Sequence, residues 1–201
     1  MYKRFIQIMD NSGCLSGSSV VVAAADRDSI EAVRLAMGRG LGKAVFVGDE
    51  KIISAITAEL NILDKSEIIS AQTPQESAVK AVEAINGGKG NVLIKGLVNT
   101  SDFLRAVLDR ENGLRTGRLL SHLAVMEIPG ENHLSFCADS GFNVAPDCEQ
   151  KKSILRNSLE AIHAMGYDHV NVACLAANEK VDPHIPSTVD AAMIAEAWRS
   201  E

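Results

Sequence analysis

Apolar residues recur along the first half of this chain in strand-length and helix-length rhythms that alternate. Residues 19–25 (SVVVAAA) form an unbroken apolar run, the pattern of a strand covered on both faces. Asp26–Arg27–Asp28–Ser29 follows, an acidic stretch able to cap a helix that the spacing carries to Arg39. Gly40 and Gly42 stop that helix, and Lys43–Val47 is a second strand. A helix over about Glu50–Leu60, a short strand at Ile68–Ile69, a helix from Thr73–Pro74 to Ile85 and a strand at Val92–Ile94 complete the half. Repeated strand–helix units with short connections predict a doubly wound, mostly parallel α/β sheet.

Near residue 118 the rhythm changes. Residues 122–128 and 133–138, joined by Pro129–Gly130–Glu131–Asn132, predict an antiparallel hairpin. Glu149–Met165 reads as an amphipathic helix burying Ile154, Leu155, Leu159, Ile162 and Met165. A buried strand at Val170–Leu175 and a last helix over Ser187–Trp198, capped by Ser187 or Thr188, are expected after it. The expected division is a first α/β domain over residues 1–117 and a second α/β subdomain over 118–201. The second ends on a helix with no return strand, which reads as incomplete on its C-terminal side.

Composition narrows the partners. The 201 residues carry a net charge of −6 and only 4% aromatics, with no run of Lys and Arg. A phosphate-backbone track and base-stacking platforms are both missing, so nucleic acid is not the expected partner. Cys14, Cys137, Cys148 and Cys174 show no CxxC spacing, and the five histidines no paired ligand spacing. That fits free thiols in a reducing cytosol and no metal site. Residues 1–12 lack the apolar core of a signal peptide, and no apolar run is long enough for a bilayer. A soluble, cytoplasmic protein without a membrane partner is expected.

The candidate chemistry follows the Val92–Ile94 strand. Lys95–Gly96 leads into Asn99–Thr100–Ser101–Asp102, and then into a helix carrying Arg105. Hydroxyls, backbone amides and an arginine at a helix start suit a phosphate, because the first amides are unpaired and the dipole is positive there. The same residues suit an ordinary N-cap at Ser101 or Asp102, and both readings stand. Gly38–Arg39–Gly40–Leu41–Gly42 follows a helix and precedes a strand, the reverse of a dinucleotide fingerprint, so it reads as a helix terminator. Gly113–Arg118 brings Arg115 and Arg118 to a glycine-bounded loop, either an anion clamp or an exposed connector. Asp139–Ser140–Gly141–Phe142–Asn143 leaves a strand as a turn or as a crevice lining, and Lys180 sits in a long polar loop.

Taken together, AAADRDSIEAV, KGLVNTSDFLRAVL, GLRTGRLLSHLAVMEIPG, FCADSGFNVAPDCEQKK and LAANEKVDPHIPSTVDAA, ordered over residues 23–192, resemble the phosphate acetyl/butyryltransferase family. The LVNTSDFLRAVL form is similar to its phosphate butyryltransferase branch. The resemblance implies an isocitrate/isopropylmalate dehydrogenase-like α/β fold with an interdomain cleft. It also implies a direct exchange of a short-chain acyl group between coenzyme A and inorganic phosphate in a ternary complex. No metal and no permanently bound cofactor are implied; coenzyme A enters as acyl-CoA substrate, phosphate is the co-substrate, and the protein is expected to be a homodimer or higher homo-oligomer. Carried over by motif, Arg105 and Ser101 are the expected catalytic residues, with Asn99, Thr100, Arg115, Asn143 and Lys180 binding substrate. Related enzymes are longer; in the acetyl branch the further region carries a Ser–Arg pair and an Asp. The alternatives are phosphate acetyltransferase activity and a truncated, non-catalytic module that binds CoA or acyl phosphate.

Overall fold

The computed structural model describes residues 2–10 and 17–199. Cys14 and the end of the 1–12 stretch considered for a signal peptide lie outside them. The chain packs as two compact units, Met9–Thr116 on one hand and Met1–Ile8 with Gly117–Glu201 on the other.

In the first unit, β1 (Ser19–Ala23), β2 (Lys43–Gly48), β3 (Ser66–Ser70) and β4 (Val92–Lys95) form one parallel sheet in the order β3-β2-β1-β4. Strand alternation sorts the apolar side chains of β1 and β2 into two cores. Val20, Val22, Ala44 and Phe46 pack with Ile30 and Val33 of α2 (Arg27–Met37) and Ile53 and Ile56 of α3 (Glu50–Glu59). Val21, Ala23, Val45 and Val47 face the other way, onto Ala81 and Ala84 of α4 (Pro74–Asn86). A third cluster seats α5 (Thr100–Val107): Ala24, Ala78, Val82, Val98 and Ala106 meet there. Helices on both faces of a parallel sheet are the doubly wound α/β arrangement the periodicity predicts.

The helix boundaries follow the capping chemistry. Asp26 caps α2 in a reciprocal box with Ser29, and Thr73 caps α4 with Pro74 at its first turn. Gly38 and Gly40 end α2, Gly40 at φ +107°, so this glycine cluster terminates a helix as read.

The carboxyl ends of the strands are tied by one buried hydroxyl. Ser77, 1% exposed, accepts from the Ala24 amide at 2.6 Å and donates to the Val47 carbonyl at 2.7 Å.

The second unit is a short antiparallel pair, β5 (Ala124–Glu127) with β6 (Leu134–Cys137), beside α6 (Cys148–Ala164) and α7 (Pro186–Arg199). Leu134, Ile154, Ile162, Tyr167 and Ile194 are buried in it, and the Phe136 and Tyr167 rings meet edge to face at 5.2 Å. Lys151 pairs with Asp190 at 2.6 Å, and Arg156 lies 5.8 Å from the Trp198 ring, so α6 and α7 are joined by charge as well as by packing.

Two expectations fail in this unit. Val170–Leu175 pairs with no strand and lies largely in solvent, Leu175 at 89% exposure. An apolar run becomes a strand only where a neighbouring ladder takes its amides, and among the described residues none does. Ser187 and Thr188 do not cap α7, because the helix starts one residue earlier on Pro186. The Thr188 hydroxyl instead accepts from the Asp182 amide at 2.9 Å and is shared between the Asp182 and Ile185 carbonyls.

A short helix the pattern does not announce, α1 (Phe5–Asp10), begins on Glu127, which accepts from the Phe5 amide at 2.9 Å and the Arg4 guanidinium at 2.8 Å. Those bonds hold the Glu127 carboxyl below the usual carboxylate range, Arg4 first and Phe5 second.

Two measurements check this account. Ser77→Ala strands the buried Ala24 amide and should lower urea-unfolding stability by about 1–3 kcal/mol. A carboxyl lowered in the folded state contributes fully above its unfolded value, near ~4.3, and loses that contribution as pH falls through the folded value. Exchange at the Phe5 amide, corrected for its intrinsic rate, should therefore accelerate as pH falls through the lowered, folded-state value of Glu127. Glu127→Gln should show the fast exchange already at neutral pH.

Candidate anion site at the sheet's switch point

The chain lays down β1, β2 and β3 in one direction and then crosses back to place β4 on the other side of β1. Past that reversal β1 leads to α2 on one face of the sheet and β4 to α5 on the other, the point where open α/β sheets form a crevice. Here the crevice is built by close backbone approach. The Gly96 amide donates to the Ala23 carbonyl and the Leu97 amide to the Ala24 carbonyl, both at 2.8 Å. A Cβ at position 96 would stand 2.4 Å from the Ala24 oxygen, so only glycine passes there. Ala24 itself adopts φ +51°, held by the Ser77 hydroxyl on its amide.

A cavity of about 250 Å³ opens beside this crossing, walled by Pro74 and Gln75 at the start of α4 and by residues 95–99. Lys95 folds its ammonium back onto the loop, donating to the Val98 carbonyl at 2.8 Å and the Gly96 carbonyl at 3.3 Å. Val98 is buried and anchors the loop, whereas Leu97 stands 73% exposed at the rim. Asn99 is the N-cap residue of α5, yet its side chain makes no capping bond. Asp102 and Phe103 donate their amides to the Asn99 carbonyl at 3.1 and 3.0 Å, leaving the Thr100 and Ser101 amides open. Neither Ser101 nor Asp102 caps the helix. Asp102, its side chain only 14% exposed, accepts from Gln75 at 2.8 Å and from Arg105 at 2.9 Å. Arg105 thus sits over the first turn of α5 with its charge answered by Asp102 and 76% of its side chain in solvent.

Asn99, Thr100, Ser101 and Arg105 are brought together at this one helix start. Arg115 lies exposed on the loop after Gly113, with no ion pair among the described residues. Arg118 forks onto the Glu160 carboxylate at 2.8 and 3.0 Å and reaches Asn157 at 2.7 Å. In the second unit, Asn143 donates both its backbone amide and its side chain to Asp139, and its side chain also to the Leu120 carbonyl. Its amide donors are therefore engaged within the second unit, by Asp139 and by the Leu120 carbonyl. Lys180 is fully displayed in an exposed segment. Lys95 and Gln75 line the cavity and were not among the residues singled out from sequence. The Lys95–Gly96 pair after a strand was the available signal for the first; for Gln75 there was none.

The fold is that of a doubly wound α/β protein, with an open helix start and a lysine at one end of its sheet. Comparison with known proteins places it further: the chain belongs to the phosphate acetyl/butaryl transferase family, whose model matches residues 68–201. It is 39% identical over 198 residues to the phosphate butyryltransferase of Clostridium acetobutylicum, covering 98% of this chain and 66% of that protein. The probable phosphate butyryltransferase of Bacillus subtilis is 40% identical over 179 residues, covering 89% and 60%. The phosphate acetyltransferase of Rhizobium meliloti is 34% identical, covering 88% and 56%. The crystal structure of a branched-chain phosphotransacylase from Enterococcus faecalis has the same fold, with TM-score 0.75 at 24% identity, covering 92% of this chain and 65% of that one. The chain spans about two thirds of the length of the first of these relatives.

Gly96→Ala should force the β4 loop away from β1 and cost about 1–3 kcal/mol by overpacking, read as a lower urea midpoint at unchanged slope.

Proposed function

We propose that the site at the start of α5 exchanges a short-chain acyl group between coenzyme A and inorganic phosphate, butyryl-CoA and phosphate giving butyryl phosphate and CoA. The observation that carries the reading is the uncapped helix start at Asn99–Ser101 beside the switch-point cavity, in a chain of this family. A phosphate oxygen adds to the thioester carbonyl, the carbon–sulfur bond breaks, and CoA leaves as thiolate. The reverse reaction returns the thiolate to the acyl phosphate. No enzyme nucleophile is needed; the protein holds two anionic substrates in line and stabilises the oxyanion of the tetrahedral centre. Ser101 and Arg105 are assigned to that stabilisation, and Asn99 and Thr100 to binding the phosphoryl oxygens. Arg115, Asn143 and Lys180 are assigned as further substrate contacts, the two cations for their unpaired charge. The exchange is assigned to the cytoplasm, on the scattered thiols, and to a homodimer or larger homo-oligomer. Among the described residues no helix is long and apolar enough to cross a membrane, and no group of His, Cys, Asp and Glu is arranged to hold a metal.

A second reading is a module that binds CoA or acyl phosphate without turnover. Thiol release from butyryl-CoA and from acetyl-CoA, with and without phosphate, separates these on the 201-residue chain. Phosphate-dependent release that is faster with butyryl-CoA is expected. Equal or faster release from acetyl-CoA assigns the acetyl branch, and CoA binding with no release assigns the module. Arg105→Ala should lower kcat/KM at least ~10-fold through loss of a charge-assisted contact; unchanged kinetics would put the site elsewhere.

A further inference from the structure

Two cations stand near the open start of α5, and they are not equivalent. Arg105 is the one the motif picks out, but its guanidinium is paired with Asp102 at 2.9 Å and is not part of the cavity wall. Lys95 is part of that wall. Its ammonium bonds two backbone carbonyls, Val98 and Gly96, and among the described residues no carboxylate lies within ion-pair distance of it. Of the other lysines of this unit, Lys80 pairs with Glu76 and Lys89 with Glu67, while Lys43, Lys51 and Lys65 make no ion pair among the described residues and are not part of this cavity wall.

We propose that Lys95 is the cation that binds a phosphoryl oxyanion in the switch-point cavity, while Arg105, outside the wall, keeps its role at the oxyanion of the tetrahedral centre. This rests on the acyltransferase reading and refines which residue takes the phosphoryl group. An ammonium has three protons in fixed tetrahedral directions. Two are used by the Val98 and Gly96 carbonyls, which leaves the third for a ligand. A long, flexible side chain is thereby held in one geometry before any ligand arrives, which removes much of the entropy that a free surface lysine loses on binding. The carbonyls accept without cancelling the charge, so a full positive charge stands at the cavity. The open Thr100 and Ser101 amides belong to the same loop–helix junction and supply neutral donors to the same anion. A tether alone would be met by any donor of the right length; an uncompensated charge at a cavity wall is the feature a tether does not explain.

The test is calorimetric titration of the 201-residue protein, wild type and Lys95→Met, with inorganic phosphate, butyryl phosphate, CoA and 3′-dephospho-CoA. Lys95→Arg and the thermal midpoint of each variant accompany it. Lys95→Met should weaken at least one phosphoryl ligand by ~10-fold or more, with Lys95→Arg recovering part of the loss. A loss confined to phosphate and butyryl phosphate assigns Lys95 to the group transferred. A loss confined to CoA assigns it to the CoA phosphates, and dephospho-CoA tells which of them. Wild-type affinity in Lys95→Met overturns the proposal and leaves the acyltransferase reading standing. A lowered midpoint with equal weakening in Lys95→Met and Lys95→Arg reduces Lys95 to a loop tether and also overturns it. If the wild-type protein binds none of the four ligands, the acyltransferase reading fails, and the role of Lys95 fails with it.

Discussion

The peptide at Ala24 is the point from which the functional end of the first unit is measured. A left-handed backbone at a non-glycine residue costs about 1–2 kcal/mol, so it persists only when held. Here it is held from two sides, its amide by Ser77 of α4 and its carbonyl by the amide of Leu97. The neighbouring Ala25 amide donates to the Val47 carbonyl, which also accepts from Ser77. One turn of chain thus joins β1, β2, α4 and the loop after β4. Because α4 and that loop are the two walls of the cavity, both are tied to the same two residues as well as packed on each other through Ala78, Val82 and Val98. The relaxation of either wall is limited by bonds that are buried and have no water to replace them.

Much of this was legible in the sequence because it is local. Unbroken apolar runs bounded by Asp, Thr–Pro and Gly marked β1, β2, α2 and α4 closely, since capping and strand burial act over a few residues. The features that escaped depend on partners distant in the chain. Val170–Leu175 has a strand's composition, but a strand also needs a ladder, and sequence does not say whether one will be adjacent. The helix α1 is too short to stand by periodicity and is organised by Glu127, more than a hundred residues away. At the site, the loop-to-helix chemistry of Asn99–Arg105 could be read because donors and helix start are contiguous. Gln75 reaches Asp102 across 27 residues, and only the fold brings them together. Arg115 and Arg118 look alike on paper; Glu160 on α6 engages one and leaves the other.

The electrostatics of the site run against the bulk of the molecule. A chain of net charge −6 offers polyanionic ligands no general attraction, so the proposed capture rests on a few donors fixed at short range. Backbone amides suit this task because they carry no counterion and lose no rotamer freedom. Fixed cations near them supply the remaining field, and a cation answered by a nearby carboxylate contributes less of it than one bonded only to carbonyls.

The alanines of α4 carry a consequence for the cavity. Ala78, Ala81 and Ala84 put methyl groups between this helix and its neighbours, with Val82 and Ile85 packed beside them, while the opposite face is spaced by Ile30, Ile53 and Phe46. The thin spacer is what lets a side chain as short as serine touch two strand ends. Since the same helix begins at the cavity wall, the thickness of that alanine layer also fixes how far Pro74 and Gln75 stand from the loop opposite. A methylene added deep in the core, well away from any ligand, would thus be expressed at the rim as a change of width.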